Sequence, residues 1–296
     1  MWHNCRDRIE RGMSMEYIKA DLHIHTDISD GSFGIEEVIE KAKEKNITHL
    51  GIVNHDTIKG LKEAIELGNK KGIKIIPGVE ISAFDFGNKR KVHILGYNFN
   101  INGSHIESLC KPTRERRNIC SLWQVEALKN NGYKISLKKI LYYSRNSEVI
   151  YKQYIMQELI DKGYTDKIYS DLYYKIFKNS GICSGEIIYV DVYKAIEAII
   201  KDGGIPVLAH PGQLNSYEII PKLVAAGLKG IELNHSSHKE EDLILIHKLA
   251  VKYNLFETGG SDFHGEYGKG EEIGNYLCPE ESINIIEEKL LYVKLC

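Results

Sequence analysis

Seven short strands in a parallel sheet or barrel, alternating with helices and broken once by a helical insert, make up the α/β fold class that this sequence predicts. Two observations point there. Short apolar runs alternate with helix-period segments from Tyr17 to about residue 100, and the same alternation resumes near residue 190. Between residues 104 and 185 the strand signal vanishes and the chain turns helical, rich in Tyr, and basic.

Taken in order, residues 18–23 read as a strand, 35–45 as a helix, 50–53 as a strand and 58–71 as a helix, which is βαβα order. Strands over 73–79 and 92–95 complete the first part, residues 17–103. After the insert, 104–185, the second part (186–296) carries strands over 207–209, 231–233 and 256–258. Its helices fall over 192–201, 219–226, 240–252 and 283–291. Residues 1–16 are charged and lack the apolar stretch of a signal peptide, so they read as an N-terminal extension with Met15 as an alternative start.

Composition excludes several classes of function. Apolar residues make up 43% of the 296, enough for a sizeable core and too many for a disordered chain. Net charge is −2, so the chain as a whole has no polybasic signature of a nucleic-acid or membrane binder. The balance is uneven, however: residues 101–190 carry 14 Lys and Arg against 9 Asp and Glu. Six Cys without a C-x-x-C pair read as reduced thiols of a cytoplasmic protein rather than a disulfide framework or zinc ribbon. No apolar run approaches the length of a membrane span, and nothing points to an obligate protein partner.

The chemistry lies at strand ends. In Asp21-Leu22-His23-Ile24-His25, alternation along a strand sends His23 and His25 to one face. Asp30 follows in a Ser-Asp-Gly turn that can swing a carboxylate back. His55, Glu80, His93 and His210 each close a later strand, and Asp262 and His264 stand two apart after the last. Catalytic groups of α/β barrels gather at such ends. Taken singly, each is as readily a satisfied buried histidine or a solvated carboxylate; together the six imidazoles and three carboxylates form a nitrogen and oxygen ligand set without thiolate, suited to Mn, Zn or Fe. Nine ligands exceed one coordination sphere and accommodate two or three divalent ions, an arrangement that favours an anionic substrate such as a phosphate ester.

These motifs resemble those of the PHP (polymerase and histidinol phosphatase) family. The matching stretches are Asp21-Leu22-His23-Ile24-His25-Thr26, Ser29-Asp30-Gly31, Asn54-His55-Asp56-Thr57, Pro77-Gly78-Val79-Glu80-Ile81-Ser82, Val92-His93-Ile94-Leu95-Gly96-Tyr97, Leu208-Ala209-His210-Pro211-Gly212 and Gly259-Gly260-Ser261-Asp262-Phe263-His264-Gly265. The resemblance implies a distorted (β/α)7 barrel and a metal-dependent phosphoesterase. The branch it is nearest to contains nucleoside 3′,5′-bisphosphate phosphatases and 5′–3′ exoribonucleases. It also implies one ion on His23, His25, Glu80 and Asp262, a second on Glu80, His93 and His210, and a third on Asp30, His55 and His264. Glu80 would bridge the first two, and Glu80 and Asp262 would hold the nucleophile. The reaction expected is hydrolysis, by metal-activated hydroxide, of terminal phosphoesters of mononucleotides, 3′,5′-bisphosphates or short single-stranded RNA 5′ ends.

Other residues stay open to two readings. Asp56 either orients an imidazole or caps a helix. Arg114 and Arg117, three apart on one helix face, either clamp a phosphate or form a solvated basic face. His235 and His238, in a loop resembling the family's His-Pro-Ser-His, either meet phosphate or lie exposed. Ten of the 18 Tyr fall between 133 and 189, as stacking surfaces or as packing for the insert. One departure stands out: relatives usually carry Gly-Arg-Pro-His where this chain has Tyr151-Lys152-Gln153-Tyr154, which leaves the substrate open. Two rival functions are an amidohydrolase-type metal hydrolase, which Glu80 and the third ligand set disfavour, and a non-catalytic PHP module that binds nucleic acid, which the complete ligand set disfavours.

Overall fold

The computed structural model describes residues 17–293. The N-terminal extension, with His3, Cys5 and Met15, and the terminal Cys296 lie outside them.

The first half is built from β1 (Ala20–Ile24), α1 (Ile35–Glu44), β2 (His49–Ile52), α2 (Leu61–Lys71), β3 (Lys74–Asp85) and β4 (Arg90–Tyr97). After the insert come β5 (Val190–Asp191), α7 (Val192–Lys201), β6 (Ile205–Leu208), β7 (Gly230–Asn234), α10 (Glu240–Tyr253), β8 (Phe256–Gly259) and α11 (Glu280–Val293). Two short helices, α8 (Pro211–Leu214) and α9 (Ile220–Ala225), lie between β6 and β7. Each barrel helix forms for a legible reason. In α1, Ile35, Val38, Ile39 and Ala42 bury one face at helical spacing, with Glu36 and Glu37 in the first turn and Lys41 and Lys43 in the last, matching the helix dipole. The Asp191 carboxylate caps α7 by accepting from Tyr193 N at 2.9 Å.

Seven strands follow the order β1-β2-β3-β4-β6-β7-β8, and two-residue β5 pairs with β3 off this path. The ring is nearly closed between β1 and the segment after β8: His25 N donates to Phe263 O at 2.9 Å and Phe263 N to His23 O at 3.2 Å. Closure needs a residue without a side chain, because a Cβ on Gly260 would lie 2.3 Å from His23 N. The strands are not all parallel, however. β4 runs antiparallel to both β3 and β6, since the turn from Asp85 to Lys89 is too short for a crossover helix. There the Asp85 carboxylate accepts from Gly87 N at 3.0 Å and the left-handed Lys89 reverses the chain. β3 therefore extends well past residue 79, pairing along its length with β4.

Between β4 and β5 the chain forms α3 (His105–Asn130), α4 (Leu137–Tyr143), α5 (Lys152–Asp161) and α6 (Asp171–Phe177). These helices pack round an apolar cluster of their own that includes Val125, Leu128, Ile140, Tyr154, Ile155 and Phe177. Packing accounts for much of the tyrosine: Tyr151 and Tyr154 are buried in that cluster, and Tyr133, Tyr143, Tyr169 and Tyr173 pack on its edge. Tyr154 also donates to the backbone oxygen of Ser29, Tyr151 to His55 O at 3.1 Å, and Asn146 to the Asp27 carboxylate at 2.6 Å. These bonds fix the insert over the C-terminal ends of β1 and β2. Among the described residues no helix is long and apolar enough to cross a membrane.

Candidate metal centre

All nine ligand-type residues meet at the barrel mouth. β1 delivers His23, β3 delivers Glu80, and β4 delivers His93, while His25, Asp30, His55, His210, Asp262 and His264 sit on the loops that follow strands. Glu80 is buried at the centre, and its two oxygens face different partners. Oε2 lies 3.3 Å from His23 Nε2, 3.1 Å from His25 Nε2 and 3.3 Å from His55 Nδ1. Oε1 lies 2.7 Å from His93 Nδ1 and 2.9 Å from His210 Nε2. Asp262 Oδ1 joins the first group, 3.3 Å from both His23 Nε2 and His25 Nε2. A third group surrounds Asp30, with His264 Nε2 at 3.4 Å, His25 Nδ1 at 3.7 Å and His55 Nε2 at 3.9 Å.

Two of these residues, His210 (φ 22°) and Asp262 (φ 54°), have left-handed backbone that a non-glycine residue adopts only at a cost. The surrounding bonds hold them there: His210 N donates to Glu232 Oε2 at 2.8 Å, and His264 Nδ1 donates to Asp262 O at 2.7 Å, leaving His264 Nε2 to face Asp30. Glu232, on β7, was not among the residues singled out from the sequence. Its Oε1 accepts from His23 Nδ1 at 2.9 Å, which fixes the ring so that Nε2 faces Glu80 and Asp262. An acidic residue inside the apolar strand Gly-Ile-Glu-Leu was the signal available for it. Asp21 is a second support: Oδ1 accepts from Ser261 N at 2.9 Å and Oδ2 from Gly274 N at 2.8 Å, tying β1 to the last loop.

Burial pushes the Glu80 and Asp262 carboxyls up, but the imidazoles beside each overcome it and hold both well below the ordinary range. Asp30 is lowered in the same way by His264 and His55. Burial drives His55 down to about 4 despite Glu80 and Asp30, so its ring is neutral. Anionic carboxylates crowded by imidazole nitrogens are the donor chemistry that divalent cations take. The buried atoms His25 Nε2, Asp30 Oδ1, His55 Nδ1 and His210 Nδ1 have no well-formed hydrogen bond, and an unpaired buried polar atom is costly unless something else satisfies it. The residues present therefore fit metal ions, and His23, His25, Glu80 and Asp262 form one compact set of ligand atoms while His25, Asp30, His55 and His264 form another.

Five further residues that the sequence left open to two readings take definite places. Asp56, itself left-handed at φ 55°, touches no imidazole and caps no helix; its carboxylate accepts from Ser82 N at 2.8 Å and from Arg117 at 2.9 Å. Arg117 thereby stands on the cleft wall, 5.2 Å from the Tyr151 ring centre. Arg114 does not pair with it there. Its buried guanidinium is spent on Glu107, on Glu148 at 3.2 Å and on Asp56 O at 2.7 Å. His235 lines the cleft with Nε2 3.3 Å from Asp262 Oδ2. His238 is committed internally, donating from Nδ1 to Leu233 O at 2.7 Å and accepting at Nε2 from Gly212 N at 3.2 Å. Of the remaining histidines, His49, His105 and His247 pair with Glu287, Asp202 and Glu257 away from the centre.

The cleft over the centre holds about 690 Å³. Barrel ligands line its floor; Arg117, Tyr151, Lys152, Gln153, Tyr169 and Lys178 of the insert line its wall. Gln153 reaches the floor itself, its Nε2 donating to Asp30 Oδ2 at 3.0 Å.

Comparison with known proteins agrees with this geometry. Residues 21–204 match the PHP domain. The chain is 44% identical over 254 residues to the phosphoribosyl 1,2-cyclic phosphate 1,2-diphosphodiesterase of Eggerthella lenta, covering 86% of this chain and 97% of that one. It is 29% identical to the 3′,5′-nucleoside bisphosphate phosphatase of Chromobacterium violaceum, covering 86% and 90%. Among solved structures it resembles a candidate metal-dependent phosphoesterase from Bifidobacterium adolescentis, with a TM-score of 0.85, 26% identity and coverage of 91% and 96%. The chain belongs to the PHP domain family of metal-dependent phosphoesterases, hydrolases that cut phosphoester bonds.

Proposed function

We propose that this chain hydrolyses a small phosphorylated sugar carrying a cyclic phosphodiester, of the phosphoribosyl 1,2-cyclic phosphate kind for which its 44%-identical relative is named. The observation that carries this reading is the roofed cleft: at about 690 Å³ it suits one phosphosugar or mononucleotide, and its opening under the insert suits a small molecule better than the middle of a nucleic acid. The 29% identity to a bisphosphate phosphatase keeps nucleoside 3′,5′-bisphosphates as the second substrate class.

His23, His25, Glu80 and Asp262 would hold one ion, Glu80, His93 and His210 a second, and Asp30, His55 and His264 a third. Bound there, two or three ions of Mn, Zn or Fe would polarise the phosphoryl oxygens and make water a nucleophile near neutral pH. The chain's own residues do the rest. Glu232 and the carbonyl of Asp262 keep the His23 and His264 rings turned towards the floor. Arg117, held by Asp56 and by Ser82 Oγ at 3.2 Å, presents a charged donor edge to a phosphate oxygen.

The test is a rate comparison on Mn-loaded protein among phosphoribosyl 1,2-cyclic phosphate, adenosine 3′,5′-bisphosphate and a 5′-phosphorylated oligoribonucleotide in linear and closed-circular form. The expected order in kcat/KM is cyclic phosphosugar first, bisphosphate second and linear RNA last, with no cleavage of the circle. Faster turnover of RNA than of either small molecule overturns the reading. Turnover of dihydroorotate without turnover of any phosphate ester would restore the amidohydrolase alternative.

A further inference from the structure

The ligand groups of the barrel mouth are not supported alike. Among the described residues, His23, Glu80, His93, His210 and Asp262 make no bond to a side chain of the insert; barrel residues turn their rings and carboxylates, Glu232 above all. The group around Asp30 differs, because each of its loops is fastened to the insert. On the loop after β1, Gln153 Nε2 donates to Asp30 Oδ2 at 3.0 Å, Tyr154 to the backbone oxygen of Ser29, and Asn146 to the Asp27 carboxylate at 2.6 Å. On the loop after β2, Tyr151 donates to His55 O at 3.1 Å and Arg114 to Asp56 O at 2.7 Å. On the loop after β8, Tyr267 follows His264 and is buried within the insert's own apolar cluster, its ring 5.8 Å from that of Tyr154.

Most of these bonds come from one short stretch. Tyr151, Gln153 and Tyr154 stand at the start of α5, where Gly-Arg-Pro-His of related chains is replaced. Gly and Pro carry no side-chain donor, so the bonds to His55 and Asp30 exist because of that departure. They divide the Asp30 carboxylate between two tasks. Oδ2 meets the insert amide, while buried Oδ1 faces His264 Nε2 at 3.4 Å and His25 Nδ1 at 3.7 Å without a well-formed hydrogen bond. One oxygen is set by the insert and the other is left for what the group binds. A carboxylate ligand that loses such an outer partner keeps its charge but not its direction, at a cost of about ten- to a hundred-fold in metal affinity. Linkage runs both ways: an ion that needs Asp30, His55 and His264 in register also draws the insert onto their three loops.

We infer that Gln153 is a positioning residue for the Asp30, His55 and His264 group, and that occupancy of this group by a divalent ion is coupled to docking of the insert, whereas Glu80, His93 and His210 depend on the barrel alone. The coupling rests on the metal-holding reading of the mouth and not on which phosphate ester is cut.

Chelator-stripped full-length protein, titrated with Mn in competition with a chromogenic chelator, resolves the bound ions by affinity. Gln153→Met keeps the length of the side chain and removes its donor. One ion should then loosen by about ten-fold or more, and the others by less than about two-fold. Tyr154→Phe, which takes only a hydroxyl from the insert core, should loosen the same ion. Hydrogen exchange gives the reciprocal readout: in the wild type, amides of α5 should slow over the Mn range in which that ion binds, and the protection should shrink in Gln153→Met. Equal weakening of every ion, no weakening of any, or exchange in α5 that ignores that ion overturns the coupling. Every readout is of binding, so absent turnover of phosphoribosyl 1,2-cyclic phosphate would overturn the substrate reading and leave the coupling standing. A wild type that takes up no ion would overturn both.

Discussion

The barrel mouth and the insert wall face each other across one cleft with opposite electrostatic problems. At the mouth, Asp30, Glu80 and Glu232 are buried among imidazoles, with Asp262 beside them, and Asp21 and Asp56 are buried close by. On the wall, Lys152 and Lys178 make no direct ion pair, and Glu186, bonded to Lys91, is the carboxylate that attracts them. One ion pair crosses between the two sides, Arg117 with Asp56 at 2.9 Å, while Lys152 and Lys178 pair with none of the mouth carboxylates. A chain folded for stability alone would have paired the two sets. Keeping them apart leaves one pole for cations and the other for anions, so the cleft is completed by what binds in it. The two poles are nonetheless joined mechanically, since Arg117 holds Asp56 and Gln153 holds Asp30.

The sharpest way to break the mouth is to remove Glu80, whose two oxygens serve two ligand groups. Glu80→Ala should lose at least one metal ion per chain by elemental analysis and lower turnover by about a thousand-fold or more. Near-normal turnover would show that the centre lies elsewhere. Glu232→Gln probes the same pole one step out. Its amide can still meet His23 but carries no charge, so metal affinity and kcat should each fall by about ten- to a hundred-fold. Metal affinity measured by chelator competition separates this from loss of folding.

The same contrast explains what the sequence disclosed. At the mouth a ligand-type residue recurs beside one strand after another, and strand periodicity is the strongest signal a single sequence carries, so nine candidates could be named; all nine lie together, although Glu80 and His93 sit inside β3 and β4 rather than at their ends. Glu232 escaped because it belongs to none of the motifs that named the others, and only the misfit of an acid among Ile and Leu betrays it. Antiparallel β4 escaped because a strand's direction is set by its connection, and the deciding feature was the short turn after Asp85. The wall is harder. Helical spacing put Arg114 and Arg117 on one face correctly, but which of two neighbours reaches a ligand depends on packing across the insert. Glu107 and Glu148 claim Arg114 from different segments of the chain. Lys91 and Lys178, 87 positions apart, carry no local pattern that would join them.

The two arginines sharpen the comparison, because they separate a residue that holds the structure from one that faces the cleft. Arg114→Ala leaves Glu107, Glu148 and the Asp56 carbonyl without their donor, and should cost about 1–3 kcal/mol in urea unfolding with KM nearly unchanged. Arg117→Ala should raise KM about ten-fold and also cost stability, because it leaves the buried Asp56 carboxylate without its cation. Equal KM effects in the two variants would mean that Arg114 reaches substrate after all.

The smallest effect expected is the one that best isolates the wall. Lys152→Met replaces an ammonium that has no carboxylate partner with an apolar chain of similar length, resting on the same Phe177 ring. The charge is costly where it stands, since burial and the neighbouring Lys178 and Lys91 bring the folded-state pKa to about 8 from an ordinary 10.5. At pH 7 the folded chain carries most of that charge. The variant should therefore be more stable than the wild type there, by about 1 kcal/mol once lost contact with Phe177 is set against relieved repulsion. Between pH 8 and 10.5 the unfolded wild type holds a proton that the folded protein has released. Wild-type stability consequently gains on the variant as pH rises through that window, and the difference closes. If Lys152→Met is instead less stable at pH 7, the ammonium is already satisfied within the folded chain, and the wall is a solvated surface without a charge left over for a ligand.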